Sequence, residues 1–338
     1  MRGFLLGKFL PPHLGHVYLC DFARHCCDEL TILVCTLERE PIEGALRLAW
    51  MEELFPRCRV RWLNEDVPQE PAEHPDFWPI WRELVARFHP EPLDLVFASE
   101  PYGHRLAAEV GARFVPVDPL REVVPASGSA IRRDPFANWR WIPPPVRPHF
   151  AKTVCLFGPE STGKSTLACR LARRFETTVQ PEYARVYTEA FGTEVTAEDL
   201  HRIAAGHRAA TGALLRQANR ILIMDTDPLL TAVWSRMLLG RAEPGLALEE
   251  EAADFYLLTD VDFPWQDDGT RYFPDPRDRQ RFFALCRAEL ERRGLPFVVL
   301  SGSERERLET AVATIEARWT GLRSRPARPE GSPRPRSR

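Results

Sequence analysis

Two glycine-containing loops hold the residues whose types and spacing are suited to chemistry. One loop, from Gly158 to Ser165, fits the pattern G-x-x-x-x-G-K-[ST], in which backbone N–H groups turn inward and cradle a phosphate. Lys164 would reach the β and γ phosphates of ATP, the Ser165 hydroxyl can ligate Mg²⁺, and the positive end of the following helix favours the same anion. The pattern predicts ATP-phosphate contacts from Gly158, Glu160, Ser161, Thr162, Gly163, Ser165 and Thr166.

Acidic residues follow two of the predicted strands in this half of the chain. Asp225 ends the apolar run 221–225 and would present a carboxylate to Mg²⁺. Asp227 is expected to project past the strand end towards an acceptor, and Glu182 is a second candidate to bind or deprotonate an acceptor hydroxyl. A surface ion pair between Glu182 and Arg185 is the alternative. The sequence leaves open whether Glu182 or Asp227 is the base.

A polar segment from Trp265 to Arg271 follows a later predicted strand. It contains glycine, and further arginines come after it, which is typical of a lid whose cations neutralise charge on a phosphoryl group in transfer. Arg271 is therefore expected to contact ATP. A solvated charged face is the alternative reading of these arginines.

The second loop, GKFLPPHLGH, comes directly after the first predicted strand and enters a helix. His13 and His16 are three residues apart, so both can face one anion, and Gly15 allows its close approach. Lys8 adds a fixed positive charge. Together these residues would hold the triphosphate of ATP and stabilise charge on the α-phosphorus or the departing pyrophosphate. A metal half-site and a purely structural histidine pair are the alternatives.

A further anion site is indicated by Ser127, Ser129 and Arg132. Two hydroxyls and a guanidinium at the start of a predicted helix are suited to a phosphate. An ordinary serine N-cap with a surface arginine is the alternative.

The elements that must position these residues form two α/β units. Short apolar runs alternate with helical stretches, which indicates parallel sheets covered on both faces. The predicted strands span 3–7, 30–35, 93–98, 114–117, 153–157, 220–224, 255–258 and 297–300. Four prolines within 141–148 mark a stiff connection. We therefore predict an α/β protein with two doubly wound parallel-sheet domains, 1–145 and 150–321, and a disordered basic Arg/Pro tail, 322–338.

The composition excludes several classes of protein. Of the 338 residues 44% are hydrophobic and 28% charged, which is typical of a globular chain, and no apolar run approaches the length of a membrane span. A net charge of −3 provides no electrostatic footprint for nucleic acid. None of the eight cysteines forms a CxxC pair, so we expect no cysteine-based metal site. The expected location is cytoplasmic.

The two loops, their order and the segments PEYAR, MDTD and WQDDGTR resemble the NadR-type bifunctional family over roughly residues 1 to 320. That family joins a nicotinamide mononucleotide (NMN) adenylyltransferase to a ribosylnicotinamide kinase. The resemblance implies an HxGH nucleotidyltransferase domain with a Rossmann-like fold at 1–145, followed by a P-loop kinase domain. It also implies ATP as co-substrate and Mg²⁺ as cofactor, with nicotinamide riboside and NMN as the other substrates.

The resemblance also implies roles for individual residues. His13 and His16 would be the signature pair for ATP phosphates, and Arg132 would match the arginine that ends the second signature. Lys164, Glu182 and Asp227 would act in the kinase. Further contacts with ATP or with the mononucleotide would come from Gly7, Lys8, Phe9, Gly15, Ser99, Ser127 and Ser129. Substrate contacts would come from Trp78, Trp81, Tyr183, Arg185 and Trp265. Trp78 and Trp81 would stack on the nicotinamide ring, the alternative being two core tryptophans.

One departure from the family and two rival functions are recognised. Some members carry an N-terminal helix-turn-helix that binds DNA, whereas here the catalytic strand begins at Gly3, so we expect no DNA partner. A homo-oligomer is compatible with the sequence. The first domain could instead adenylylate another mononucleotide such as nicotinic acid mononucleotide, or the chain could be a nucleotide-sensing regulator with weak catalysis.

Overall fold

The computed structural model describes residues 1–248, 251–267, 269 and 271–323. Asp268 and Thr270 of the predicted lid, and the predicted tail from residue 324 onwards, lie outside the described residues. The chain divides after Val146 into two compact units. None of the described helices is long and apolar enough to cross a bilayer.

The first unit is built on a five-stranded parallel sheet in the order β3-β2-β1-β4-β5. The strands are β1 (Arg2–Gly7), β2 (Glu29–Thr36), β3 (Arg59–Asn64), β4 (Leu95–Ala98) and β5 (Arg113–Pro116). The helices are α1 (Leu14–Cys26), α2 (Gly44–Leu54), α3 (Phe77–Phe88), α4 (Tyr102–Glu109) and α5 (Gly128–Arg133), and a short 3₁₀ helix follows at Trp139–Trp141. Because β1 lies between β2 and β4, its carboxyl end is the point where the strand order reverses.

Side chains on the two faces of this sheet pack into separate cores. Leu5 and Ile32 face one core, which residues of α1 and α2 complete. Phe4 and Leu33, each one residue away, face the other core, which residues of α3 and α4 complete. The strands are apolar on both faces because helices cover both faces, as expected of an all-parallel sheet.

The second unit repeats this architecture with the strand order β10-β9-β6-β8-β7, again all parallel. Its strands are β6 (Lys152–Phe157), β7 (Val179–Gln180), β8 (Ile221–Asp225), β9 (Phe255–Thr259) and β10 (Phe297–Leu300). Its helices are α6 (Arg147–Phe150), α7 (Lys164–Phe175), α8 (Tyr183–Phe191), α9 (Ala197–Leu215), α10 (Pro228–Leu238), α11 (Pro276–Arg292) and α12 (Glu304–Arg318). The predicted fold class is confirmed.

Differences from the sequence prediction are confined to sheet edges and to the proline-rich segment. β3 was not among the predicted strands, because its polar and apolar residues alternate. The strand expected between the phosphate-loop helix and Glu182 is β7, which has only two residues; both β3 and β7 lie at an edge of their sheet. In the segment 141–148, helix α6 already begins at Arg147. Pro148 is tolerated there because a first helical turn does not use its N–H group.

A buried carboxylate in α11 forms ion pairs with arginines of α10 and of the end of α11. Glu289 is 3% exposed and lies within 2.6–2.9 Å of the guanidinium groups of Arg236, Arg292 and Arg293. Burial by itself would raise the pKa of Glu289, but the hydrogen bonds from Arg292 and Arg293 and the charge of Arg236 outweigh it and lower the pKa to about 2. The stabilisation is therefore present above the unfolded pKa near 4.5 and is lost as the pH falls towards 2.

Substituting Glu289→Gln should destabilise the second unit by about 2–3 kcal/mol, since three cations lose their shared anion but two of them can still be solvated. The measurement is urea unfolding at pH 7. Glu291→Gln on the same helix is the matched control: Glu291 is exposed and pairs only along the helix with Arg287, so its loss should cost about 0.5 kcal/mol or less. Equal effects of the two substitutions would contradict the role of the buried cluster.

Candidate active sites

A cavity opens at the carboxyl end of β1, where the first sheet reverses its strand order. Open α/β sheets form their ligand crevice at this position. The cavity has a volume of about 630 Å³. The structure brings around it all of the residues that the sequence singled out in this half: Gly7, Lys8, Phe9, His13, Gly15, His16, Trp78, Trp81, Ser99, Ser127, Ser129 and Arg132.

The two histidines of the first loop form a stacked pair at the start of α1. Their ring centroids are 3.7 Å apart, and the backbone N–H of His13 donates to Nδ1 of His16 at 3.3 Å. Gly15 permits this arrangement, because a Cβ there would lie 3.0 Å from the His13 ring. Burial, and then nearby positive charge including Arg121, lowers the pKa of both, that of His13 to about 4. The lowered pKa values favour the neutral form of both rings at pH 7, in which each ring carries one N–H group.

The sequence analysis missed two arginines near this cavity: Arg121, which lines it, and Arg47, which contacts the lining residue Lys8. Arg47 of α2 is fully buried and donates to the Lys8 carbonyl at 2.9 Å and to Glu40 at 2.7 Å. Glu40 in turn lies 3.3 Å from the Lys8 ammonium. Arg121 lines the cavity in a left-handed conformation, with φ of +53°. An arginine on the same helix face as the apolar Trp50 and Met51 was the available signal for Arg47; Arg121 had none in its local sequence.

The segment that holds Ser127, Ser129 and Arg132 directly contacts the loop that holds His13 and His16. Ser127 caps α5 by accepting from the Ala130 N–H, and its hydroxyl lies 2.8 Å from that of Ser129. The Arg132 guanidinium donates to the Leu10 carbonyl. The predicted hydroxyls and guanidinium therefore lie beside the histidine loop, at one end of the cavity.

The two predicted tryptophans lie on α3. Trp81 is buried in the core and its indole N–H donates to the Pro68 carbonyl at 3.0 Å, yet it also lines the cavity. Trp78 is half-buried, meets Phe77 edge to face with centroids 5.0 Å apart, and also lines the cavity. Trp81 is therefore a core residue that also lines the cavity, and the stacking of either tryptophan on a nicotinamide ring stays a prediction. Trp78 is the more accessible of the two aromatic faces.

A second cavity, of about 350 Å³, lies at the carboxyl end of β6. Of the predicted residues it is lined by Glu160, Ser161, Thr162, Gly163, Lys164, Ser165, Thr166, Glu182, Arg185 and Arg271. Gly158 lies behind the loop with φ of +131°, and a Cβ there would lie 2.8 Å from the Thr259 hydroxyl. Only glycine accommodates both the conformation and the contact.

The phosphate loop is held by hydrogen bonds to its carbonyl oxygens. The Thr162 hydroxyl lies 2.8 Å from the Pro159 carbonyl and 2.7 Å from the Thr259 hydroxyl. The Lys164 ammonium also donates to the Pro159 carbonyl, at 2.7 Å, and is buried inside the loop. The loop is thus already curled around its lysine, as a phosphate cradle requires.

The residues at the end of β8 fit a magnesium ion. Asp225 is 4% exposed, and its Oδ1 has no hydrogen-bond partner among the described residues. Burial raises the pKa of Asp225, while the Lys164 charge and a hydrogen bond from Ser165 oppose the rise. A buried, unsatisfied carboxylate oxygen beside a hydroxyl suits Mg²⁺, which takes one or two protein oxygens and completes its shell with phosphate and water.

The structure separates the two candidates for the kinase base. Glu182 precedes α8, lines the cavity, and lies 3.7 Å from Arg185; burial raises the pKa of its carboxyl. Asp227, contrary to the expectation, is directed into the core: it caps α10 and accepts the Tyr256 hydroxyl at 2.6 Å. The cause is Thr226, whose φ of +74° breaks the strand geometry after Asp225.

Two other residues of the predicted site, Glu160 and Trp265, form contacts within or to the lid segment instead. The Glu160 carboxylate accepts the backbone N–H groups of Tyr272 and Phe273 at 2.7–3.1 Å and the Trp265 indole at 3.4 Å. Glu160, predicted to contact ATP, and Trp265, predicted to contact the substrate, are thus both engaged with the lid segment. The Ser161 hydroxyl accepts the Gln266 N–H at 2.8 Å and the Arg271 guanidinium. The loop and the lid are therefore directly joined.

The aromatic side chains that line this cavity differ from those predicted. The Tyr183 ring packs against α9 at Gly206, where a Cβ would lie only 2.0 Å from it, so it does not face an acceptor. Trp234 of α10 and Tyr272 line the cavity instead, with ring centroids 5.6 Å apart. An aromatic residue on the helix after the magnesium-site strand was the signal available for Trp234.

Comparisons with known proteins agree with this picture. A family model described as an AAA domain matches residues 153–307. The trifunctional NAD biosynthesis/regulator protein NadR of Escherichia coli (strain K12) is 33% identical over 321 residues, which cover 88% of this chain and 78% of that protein. A nicotinamide-nucleotide adenylyltransferase of Methanosarcina acetivorans is 28% identical over 154 residues, covering 43% of this chain and 85% of that protein.

Two solved structures share the fold of the whole described chain. The crystal structure of a NadR protein in complex with NR has a TM-score of 0.76 and 24% identity, with coverage of 96% of this chain and 97% of that one. A NadR protein in complex with NAD and AMP-PNP has a TM-score of 0.74 and 24% identity, with coverage of 97% and 98%. Taken with the 33% identity to the Escherichia coli protein, the two phosphate loops and their order along the chain, these likenesses place the chain in the NadR family.

Proposed function

We propose that this chain is an NAD biosynthesis enzyme with two activities. The second unit transfers the γ-phosphoryl group of ATP to the 5′-hydroxyl of nicotinamide riboside and yields NMN. The first unit transfers the adenylyl group of another ATP to NMN and yields NAD and pyrophosphate. The observation that carries this proposal is that each unit has its own cavity at its own switch point, with phosphate-binding groups and an aromatic wall in both.

Of the two candidates for the base, Glu182 lines the kinase cavity and Asp227 does not. Glu182 therefore acts as the base. Its raised pKa brings it closer to the working pH, which favours proton transfer from the acceptor hydroxyl. Lys164 and Arg271 balance the charge of the transferred group. Ser165 and Asp225 would hold Mg²⁺, which when bound neutralises charge on the β and γ phosphates.

In the transferase cavity, the phosphate of NMN attacks the α-phosphorus of ATP. A new oxygen–phosphorus bond forms while the bond to the pyrophosphate breaks, and the nucleophile is already ionised, so no covalent enzyme intermediate is needed. His13 and His16 donate N–H groups, and Lys8, Arg121 and Arg132 supply positive charge near the developing negative charge. Catalysis here consists of positioning and electrostatic stabilisation.

The aromatic side chains support this substrate class. The pyridinium ring of nicotinamide nucleotides is cationic, and aromatic faces attract cations. Trp78 and Trp81 line the first cavity, while Trp234 and Tyr272 line the second. The substrates are accordingly small pyridine nucleosides and nucleotides with ATP, and the net charge of −3 provides no reason to add nucleic acid to them.

The test is a product assay with nicotinamide riboside, ATP and Mg²⁺ that resolves NMN from NAD. Formation of NAD is the expected result, and chelation of Mg²⁺ should stop it. NAD from added NMN but not from the riboside would refute the kinase acceptor and leave the transferase. Adenylylation of nicotinic acid mononucleotide in place of NMN would refute the amide substrate. Nucleotide binding without turnover of any of them would favour the regulator.

A further inference from the structure

We propose that Arg307 of α12 is a positioning residue for phosphoryl transfer, which keeps the phosphate loop turned with its N–H groups towards ATP. The proposal rests on the proposed function in one respect, namely that this loop binds the phosphates of ATP. Arg307 does not line the cavity and is not expected to touch ATP itself; it acts through the backbone of the loop.

Arg307 acts as a clamp, by which we mean that its guanidinium donates hydrogen bonds to three backbone carbonyl oxygens. Its side chain is 2% exposed. It donates to the carbonyl of Thr162 in the phosphate loop at 2.8 Å, to that of Asp260 at 3.2 Å and to that of Gly302 at 3.0 Å. It also pairs with the Asp262 carboxylate. One guanidinium thus joins the loop to the end of β9 and to the start of α12.

The geometry of the peptide bond explains how these contacts orient the N–H groups of the loop. In a trans peptide the C=O of one residue and the N–H of the next point in opposite directions. Because Arg307 holds the Thr162 carbonyl on the outer side of the loop, the Gly163 N–H must point to the inner side, where the cavity lies. Gly163 is the N-cap of α7, so its N–H lies at the helix N-terminus beside the donors that the helix leaves free for an anion.

A second feature supports the same function. The Arg307 guanidinium lies over the Phe263 ring, 4.0 Å from its centroid, and that ring backs the loop: a Cβ on Gly163 would lie 3.0 Å from it. Gly163 has φ of +80°, so the loop is held between its own left-handed turn and the ring. Lysine would keep the charge but lose the planar fork that reaches several oxygens at once.

The test compares Arg307→Lys and Arg307→Met with the wild-type chain in the kinase reaction. Arg305→Met is the matched control, because Arg305 is on the same helix, 84% exposed, and forms a surface ion pair with Glu309. We expect kcat/KM for ATP in the kinase reaction to fall about 10- to 100-fold in Arg307→Met, with a smaller loss in Arg307→Lys. The KM for the acceptor should be unchanged, and the adenylyl transfer of the same chain should stay at the wild-type rate.

Wild-type kcat and KM for ATP in a folded Arg307→Met chain would overturn the proposal, as would an equal loss in Arg305→Met. Where Arg307→Met fails to fold, Arg307→Lys and Asp262→Asn replace it, and unchanged ATP kinetics in both would also overturn it. If the wild-type chain does not phosphorylate nicotinamide riboside, the proposed function fails separately. In that case, calorimetric titration with AMP-PNP decides the role of Arg307, with Arg307→Met and Arg305→Met each combined with His16→Ala. Equal affinities of these two chains for AMP-PNP would refute the proposal.

Discussion

His16→Ala should lower the rate of adenylyl transfer by about 100- to 1,000-fold, the cost of removing one oriented donor from a site where charge develops. The ring is half-buried and stacked on His13, and its pKa is lowered well below the usual range, which favours the neutral form, so its expected contribution is an oriented N–H group rather than a charge. The measurement is NAD formed from NMN and ATP at saturating concentrations. Kinase turnover of the same chain should be unchanged.

The control for this prediction is His25→Ala, since His25 lies on the same helix but is exposed at its last turn. It should leave both rates unaltered. Loss of both activities in a folded His16→Ala chain would contradict two separable sites. A loss no greater than that of His25→Ala would show that the histidine pair is structural.

Glu182→Gln should lower kcat of the kinase about 100- to 10,000-fold, the range expected for a lost general base, with little change in KM for ATP. The substitution preserves the shape of the side chain and removes its capacity to accept a proton. Turnover of nicotinamide riboside, followed as ADP release, is the measurement. Glu189→Gln, at an exposed position on the same helix, serves as the control and should have no effect.

A comparison with Asp227→Asn separates the two carboxylates that the sequence left as equal candidates. Asparagine can still cap α10 and accept the Tyr256 hydroxyl, so most of the kinase activity should remain. The opposite pattern, with activity abolished by Asp227→Asn and retained by Glu182→Gln, would reverse the assignment of the base.

The first sheet shows which features of the fold are readable from the chain. β2 is an unbroken apolar run because helices cover both of its faces, and such runs are visible without any structure. β3 escaped prediction because an edge strand is half exposed and carries arginines at alternate positions. Its existence depends on pairing with β2, and no local pattern encodes that pairing.

The sequence by itself determined the two phosphate loops, their order and the α/β class, because glycine spacing, helix starts and apolar runs are local properties of the chain. Only the tertiary structure decided which way the acidic side chains face. Asp225 and Asp227 would share a face in a continuous strand, but the left-handed turn at Thr226 directs Asp225 towards Ser165, at the proposed magnesium site, and Asp227 to the N-terminus of α10. Likewise Arg47, Arg121 and Arg307 reach their sites from elements distant in sequence, since burial and charge pairing are settled only when the sheets pack.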